Sequence, residues 1–441
     1  MSSVIEESKN GAESTVLALH KKFLDVDQPS ADLLPFNKKA LDIFESLKFP
    51  HRKHEMYTFV NTKVLADTSF SLKKENSVQH SFVKQHVYAG CERSHLTFVD
   101  GALCSELSDA TALGTSVKIG SLIEAVKDKS FKNILQKSIE QENDVFASIN
   151  SAFMKQGIMV KVSRDKQVEV PLQILNVSSG GDSGPVMTVP RAYIHLEPSS
   201  ELKLIVKYVG DGSNYFVNSV QDMVVEDNAT LTHIQIEADS KDSWNFSKNR
   251  IFLKRDSKYL GYQTVSGTRL VRNHNEVWLN EPGAEMELNG VSVLEEDEQS
   301  HQFVRVHHKV ENCTSHQYFK NIINDRARAS FDGTVVVNKG AQLTNSDQLI
   351  NNLMLSDEGH ADCKPNLMIF ADDVKCAHGA TVGQLDDDQL FYLKTRGLSE
   401  SIAKEILTQS FARSIVQKIP FEPIVKELDE TLLKKLKANN E

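Results

Sequence analysis

Residues 193–210, "YIHLEPSSELKLIVKYVG", decide the fold. Apolar and polar residues alternate, a Pro-Ser-Ser turn intervenes, and the alternation resumes. A period of two is the mark of a strand with two different faces. The same strand–turn–strand texture returns in "DMVVEDNATLTHIQIEA" (222–238), "NRIFLKRDSKYLGYQTV" (249–265), "EVWLNEPGAEMELNGVSV" (276–293) and "TVVVNKGAQLTNSD" (334–347). The small residues that close these turns are Ser200, Ala229, Ser257, Ala284 and Ala341. The first four lie about 28 residues apart and the last gap is about twice that. One more turn is therefore expected near Cys313, where "HHKVENCTSHQYF" (307–319) breaks one run and starts another. Only the texture repeats, not the residue identities. An all-strand period in the high twenties predicts stacked β coils, a β-helix or related solenoid. Propeller blades need about 40 or more residues each and fit less well. A solenoid also has open ends, which must be capped or paired with a partner.

The flanks differ in texture. Residues 1–160 read as mostly helical, from "STVLALHKKFLDV" (14–26), "LDIFESLKF" (41–49) and the long run 120–157. Between them, "FPHRKHEMYTFVNTKVL" (49–65) reads as a Pro-marked loop entering a strand, and "SFVKQHVYAG" (81–90) and "HLTFVDGAL" (95–103) read as short strands. The solenoid spans 161–385. Helix returns over 386–441. There Asp386 is an N-cap with Gln389 three residues on, Gly397 is a C′ residue and Pro420 is a stop. Ile402, Ile406, Leu407, Phe411, Ile415 and Ile419 are expected along one side of the middle helix.

Composition narrows the function classes. The 441-residue chain is 40% hydrophobic and 25% charged, ordinary for a globular protein. A net charge of −10 gives it no global attraction to nucleic acid or an anionic membrane. No apolar run reaches membrane-span length. The polar, acidic start "MSSVIEESKNGAEST" has neither a signal-peptide core nor transit-peptide character, so a cytoplasmic location is expected. Five cysteines scattered over so long a chain predict free thiols in a reducing compartment. There is no Walker A loop, GxGxxG after a strand, GxSxG or HExxH.

The chemistry concentrates in "ADDVKCAHGATVG" (371–383). Cys376 and His378 are two apart, so in a strand they share a face. The pair suits iron, zinc or an iron–sulfur species, or a nucleophile with its base. A small buried thiol beside a satisfied imidazole is the plainer reading of the pair alone. His360 and Cys363 upstream complete only a loose likeness to a zinc knuckle. His274, His301, His307, His308 and His316 are expected to be solvated strand histidines, with His307 and His308 on opposite faces. Arg326, Arg328, Asp325 and Asp332 read as a solvated charge ladder, and Glu295 to Glu298 as a solvated turn.

Four stretches resemble the SufB/SufD scaffold family of the SUF iron–sulfur cluster assembly system. They are "FPHRKHEMYTFV" (49–60), residues 315–357, "KPNLMIFADDVKCAHGATVGQLDDDQLFYLKTRGL" (364–398) and "SIAKEILTQSFARSIV" (401–416). His378-Gly379-Ala380 is similar to the SufD side of the family, because SufB-like chains usually read His-Glu-Ala there. A SufB-type paralogue is the near alternative. The resemblance implies a right-handed parallel β-helix between helical flanks and no catalysis by the chain itself. It implies pairing with a SufB-like paralogue, or with itself when alone, and docking of a SufC-like ATPase through the C-terminal helices, with Phe391, Tyr392, Arg396, Phe411 and Ile415 expected at that contact. It also implies a nascent iron–sulfur cluster shared with the partner chain, with His378 and Cys376 as this chain's share, and reduced flavin in the complex with no motif here to hold it. A carbohydrate-active β-helix enzyme and a purely structural solenoid adaptor are the readings from other classes.

Overall fold

The computed structural model describes residues 2–51, 53–72, 78–181 and 184–438. The N-terminal part holds α1 (Ser2–Val26), α2 (Leu34–Leu47), a 3-10 turn at Glu55–Tyr57, α3 (Lys63–Ala66) and α4 (His80–His86). Stretches 49–65 and 81–90, expected to carry strands, are thus turns and short helices. The reason is tertiary: Val83 and Val87, four residues apart, pack together with Leu175, Val177 and Val209 on a sheet surface. The strand expected at 95–103 is present as the hairpin of β1 (His95–Val99) and β2 (Ala102–Asp109). The long helical run divides into α5 (Leu122–Ala125), α6 (Lys129–Glu140) and α7 (Val145–Ala152), between β3 (Val117–Ser121) and β4 (Ile158–Val162). Ser121, Asp128 and Asp144 each begin one of these helices by accepting a backbone N–H.

After β5 (Leu172–Ser178) and β6 (Val186–Thr188) come fourteen strands in seven two-strand coils. They are β7 (Arg191–Leu196), β8 (Glu201–Gly210), β9 (Tyr215–Val225), β10 (Thr230–Ala238), β11 (Trp244–Leu253), β12 (Lys258–Val265) and β13 (Leu270–Leu279), then β14 (Glu285–Leu294), β15 (Gln299–His308), β16 (Thr314–Ile323), β17 (Arg328–Val337), β18 (Thr344–Met354), β19 (His360–Ile369) and β20 (Val374–Gly383). Even-numbered strands from β8 onward form one parallel sheet and odd-numbered strands from β7 the other. The fold is a parallel β-solenoid flanked by helices, as the repeat predicts.

The corners show why the period holds. Ser200, Ala229, Ser257, Ala284, Cys313 and Ala341 are all buried, including the turn expected near Cys313. At the first five the preceding residue, Ser199, Asn228, Asp256, Gly283 or Asn312, is left-handed with φ between 53 and 76°. Short polar residues and glycine tolerate that conformation, and only a small side chain fits inside the bend that follows.

Both faces of the central strands are buried; every residue of β9 is. Inside, aliphatic columns fill one half of the lumen. The other half holds amide ladders. Gln221 Nε2 donates to Asn249 Oδ1 at 3.1 Å, and Asn249 Nδ2 donates to Asn275 Oδ1 at 3.0 Å. Outside, the odd-numbered sheet meets the N-terminal region across a buried charge network. Asp144 binds Arg272 and His274 at 2.8 and 2.7 Å, and Tyr57 donates to its other oxygen. Glu142 binds Lys248 and Arg250, and Asp222 binds Arg250 and Arg191. Burial pushes the Asp144 carboxyl up, but Arg272 and His274 overcome this and hold it well below the usual carboxylate range. Arg52 of the N-terminal signature lies outside the described residues.

The even-numbered sheet is covered by C-terminal helices: α8 (Asp387–Thr395), α9 (Glu400–Val416) and α10 (Glu422–Ala438). Asp386 caps α8 through the Gln389 N–H, and Gly397 is left-handed after it, as expected. Ala412, Ile415 and Val416 pack on Val291, Val293, Ile322 and Leu353. Among the described residues no helix is long and apolar enough to cross a membrane.

One lumen carboxyl sets a pH dependence. Burial pushes Glu237 from 4.5 up to about 8. Between those values the unfolded chain is deprotonated there while the folded chain keeps its proton, so stability falls as pH rises, by up to about 1.4 kcal/mol per unit. Glu237→Gln removes this titration. Thermal melts at pH 6 and pH 8.5 should show a smaller drop in the variant than in the wild type, and equal drops would refute the assignment.

Candidate functional site: the open mouth of the solenoid

The last coil is unlike the others. Among the described residues β20 pairs only with β18, and β19 only with β17, so both end their sheets. Each is ten residues long. Around them Met368, Ile369, Phe370, Val382, Leu343 and Leu349 are exposed apolar side chains, Phe370 at 59%. Unpaired strand edges combined with exposed apolar side chains are what folded proteins ordinarily avoid.

Parallel register carries each lumen column up to this mouth. Ser346 pairs with Cys376, Gln348 with His378 and Ile350 with Ala380. Ser346, Gln348 and Ile350 are buried, so Cys376 and His378 share the lumen-facing side of β20. Cys376 is half-buried against the solenoid core, and burial pushes its thiol up. Beneath it Ser346 bonds Ser315, which bonds His308, at 2.9 Å each. His378 is exposed. Gly379 lies on the opposite, outward side, where an added Cβ meets only Leu349 at an ordinary 3.5 Å. Packing therefore does not require the glycine that the SufD-like reading rests on.

His360 begins β19 while Cys376 lies near the start of the antiparallel-running β20, so His360 sits at the other end of the coil. Cys363 accepts from Asn352 Nδ2 at 3.2 Å. Among the described residues no three His, Cys, Asp or Glu side chains come close enough to hold a metal ion. A cluster with four protein ligands at this mouth would have to take others from another molecule.

The expectation of solvated histidines fails for three of the five. His274, His301 and His308 are buried, and burial lowers them to about 4, about 3 and about 4. His307 stacks half-buried on Trp278, and only His316, paired with Asp347, sits in a solvated pair. The ladder reading of 325–333 holds as inter-coil pairs, Arg326 with Asp297 and Arg328 with Asp362, but Asp332 is buried with Arg305. Glu298, expected in a solvated turn, is buried against Lys435.

The C-terminal residues fall into two groups. Phe391 and Tyr392 are 68% and 56% exposed, and Arg396 lies 5.1 Å over the Tyr392 ring. Ile402 and Ile406 are exposed too. Phe411 and Ile415 face the solenoid instead, where Lys320 donates to the Phe411 carbonyl at 2.7 Å. The single apolar side expected for α9 is therefore two sides. Ile402 and Ile406 project outward; Ile415 and Ile419 are buried. Sequence reading missed Gln348 and Ser346, which counting one coil back from His378 and Cys376 would have found.

Two family models cover the chain: the SufBD core domain of SUF system FeS cluster assembly over residues 177–411 and the SufBD protein N-terminal region over residues 19–174. An iron–sulfur cluster assembly SufBD family protein of Synechocystis is 29% identical over 404 residues, 88% of each chain. The iron–sulfur cluster assembly protein SufD of Escherichia coli is 27% identical, over 86% of this chain and 87% of its own. That of Bacillus subtilis is 24% identical over 95% and 97%.

Thiol accessibility follows from the same geometry. Cys91 and Cys313 are buried, and burial pushes them up to about 12 and about 11. Brief maleimide treatment of the native chain, read by peptide mass spectrometry, should label Cys376 and Cys363 and spare Cys91 and Cys313. Labelling of Cys313 ahead of Cys376 would contradict the packing.

Proposed function

The chain belongs to the SufBD family of the SUF iron–sulfur cluster assembly system, and from that premise we propose that it is a non-catalytic scaffold subunit of the assembly complex. It pairs with a SufB-like paralogue through the open mouth, and a cluster, the cargo of the complex, is built between the two. The observation that carries this reading is the uncapped last coil. Two unpaired ten-residue edges, an apolar rim and His378 with Cys376 lie together where a second chain can reach. As a ligand, His378 needs a neutral ring with one nitrogen free. Cys376 is a secondary ligand, because the partner can supply thiolates. In the absence of the paralogue the same edges and rim support a homodimer.

The SufC-like ATPase docks on the outer side of α8 and α9. The exposed Phe391, Tyr392, Ile402 and Ile406 support this, with Arg396 beside them. Phe411 and Ile415 contribute from beneath by seating α9 on the solenoid. Any reduced flavin belongs to the assembled complex; we assign it no residue here.

Two experiments on the chain co-expressed with SufB-like and SufC-like partners test this reading. His378→Ala should leave the complex assembled and its melting temperature nearly unchanged, because an exposed side chain contributes little packing. Iron and sulfide content should fall by about 10-fold or more. Wild-type cluster content on a correctly formed complex would remove His378 from the ligand set. Phe391→Ala with Tyr392→Ala should weaken capture of the ATPase by about 30-fold or more, since an aromatic hot spot is worth about 2 kcal/mol. Undiminished capture would place the docking site elsewhere.

A further inference from the structure

The lumen column beneath His378 is an amide ladder that stops one rung short. Gln317, Gln348 and His378 are successive partners in parallel register. Gln348 Nε2 donates down the column to Gln317 Oε1 at 3.4 Å. Gln348 is 1% exposed, yet its Oε1 has no hydrogen-bond partner among the described residues. A buried carbonyl oxygen left unpaired costs about 1–3 kcal/mol. Elsewhere in this lumen some amide oxygens are paired by an adjacent rung, as Asn249 Oδ1 is by Gln221 of the coil before, while Gln221 Oε1 and Gln302 Oε1 also lack a partner among the described residues. The next rung above Gln348 is an imidazole.

We infer that Gln348 is a positioning residue for His378. Its free oxygen accepts the N–H of one ring nitrogen and leaves the lone pair of the other available at the mouth. The inference rests on the reading of His378 as a ligand and adds what sets its tautomer. Competing acceptors on that rung are occupied: Ser346 is engaged with Ser315, and Asp347 faces outward to His316. A neutral amide suits the task better than a carboxylate. A carboxylate at that distance favours the doubly protonated imidazolium, which has no lone pair to give. Ligand histidines in general hold their second nitrogen by such a bond, and losing it typically costs about 10- to 100-fold in metal affinity or activity.

The test reads the tautomer directly. The full chain is labelled with nitrogen-15 histidine, and the His378 ring signals are identified by their loss in His378→Ala. The wild type should show one nitrogen protonated and the other bare. Gln348→Met and Gln348→Leu, both of which remove the acceptor and keep the volume, should show the averaged mixture of a free imidazole. In the partner complex they should lower iron content by about 10-fold. A wild-type His378 that already shows the free mixture overturns the inference without any variant, so a misfolded variant does not shield it. An unchanged single tautomer in either folded variant overturns it as well. The two readings fail separately. Wild-type cluster content in His378→Ala removes the ligand role whatever the tautomer. An unmoved tautomer removes the Gln348 role whatever the cluster content.

Discussion

In a parallel solenoid, the backbone N–H and C=O groups of each strand are satisfied by the coils before and after it, never within its own coil. Such a ladder cannot stop without leaving an edge. The two ends of this chain's solenoid differ. At the N-terminal end the sheets finish on antiparallel strands, β2 against β1 and β3 against β4. At the C-terminal end a long stretch of chain remains after β20, enough for three helices. It does not close the mouth. Instead α10 runs back along the even-numbered sheet, where Ile424 joins Ile205, Ile234 and Ile236, and Glu427 binds Lys207. The segment that could have covered the last coil is committed to a different apolar face. The openness of the mouth is thus a consequence of where the helices find their burial.

That choice also explains which parts were legible in the sequence. The corners were legible because a corner imposes a local demand, a left-handed residue followed by a small one, and the chain meets it at Ser200, Ala229, Ser257, Ala284 and Cys313, keeping only the small buried residue at Ala341. Alternation gave the strands but not what lies on each side of them. In β9 both sides are interior, one facing the lumen and the other the N-terminal region, so polarity there marks buried networks rather than solvent. His274, His301 and His308 were misjudged for that reason. The same blindness affects α9. Its isoleucines recur at spacings a helix favours, but Ile402 and Ile415 point to different sides, and only the position of the solenoid says which side is covered. The pairing of Cys376 with His378 was legible from spacing two; the residues beneath them were one coil away and carried no local signal.

The placement of charge distinguishes the two interiors. On the outer face of the odd-numbered sheet, Arg191, Lys248, Arg250 and Arg272 are matched by Glu142, Asp144, Asp222 and Glu276, an arrangement in which each buried ion has a partner. Desolvation offsets much of what such buried pairs gain, and removing one partner would leave the other charge buried and unmatched. Among the described residues the lumen holds instead amides, hydroxyls, imidazoles such as His308, and the carboxyls of Glu237 and Asp239, which burial pushes up to about 8 and about 6. A narrow interior without counter-ions favours neutral groups, because an unmatched charge there keeps its full desolvation cost. Columns of neutral donors and acceptors can then run the length of the solenoid. Some rungs bond to their neighbours, as Gln221, Asn249 and Asn275 do, while Gln221 Oε1, Gln302 Oε1 and Gln348 Oε1 keep no partner among the described residues. His378 follows Gln317 and Gln348 in one lumen column and stands on the last coil of the solenoid.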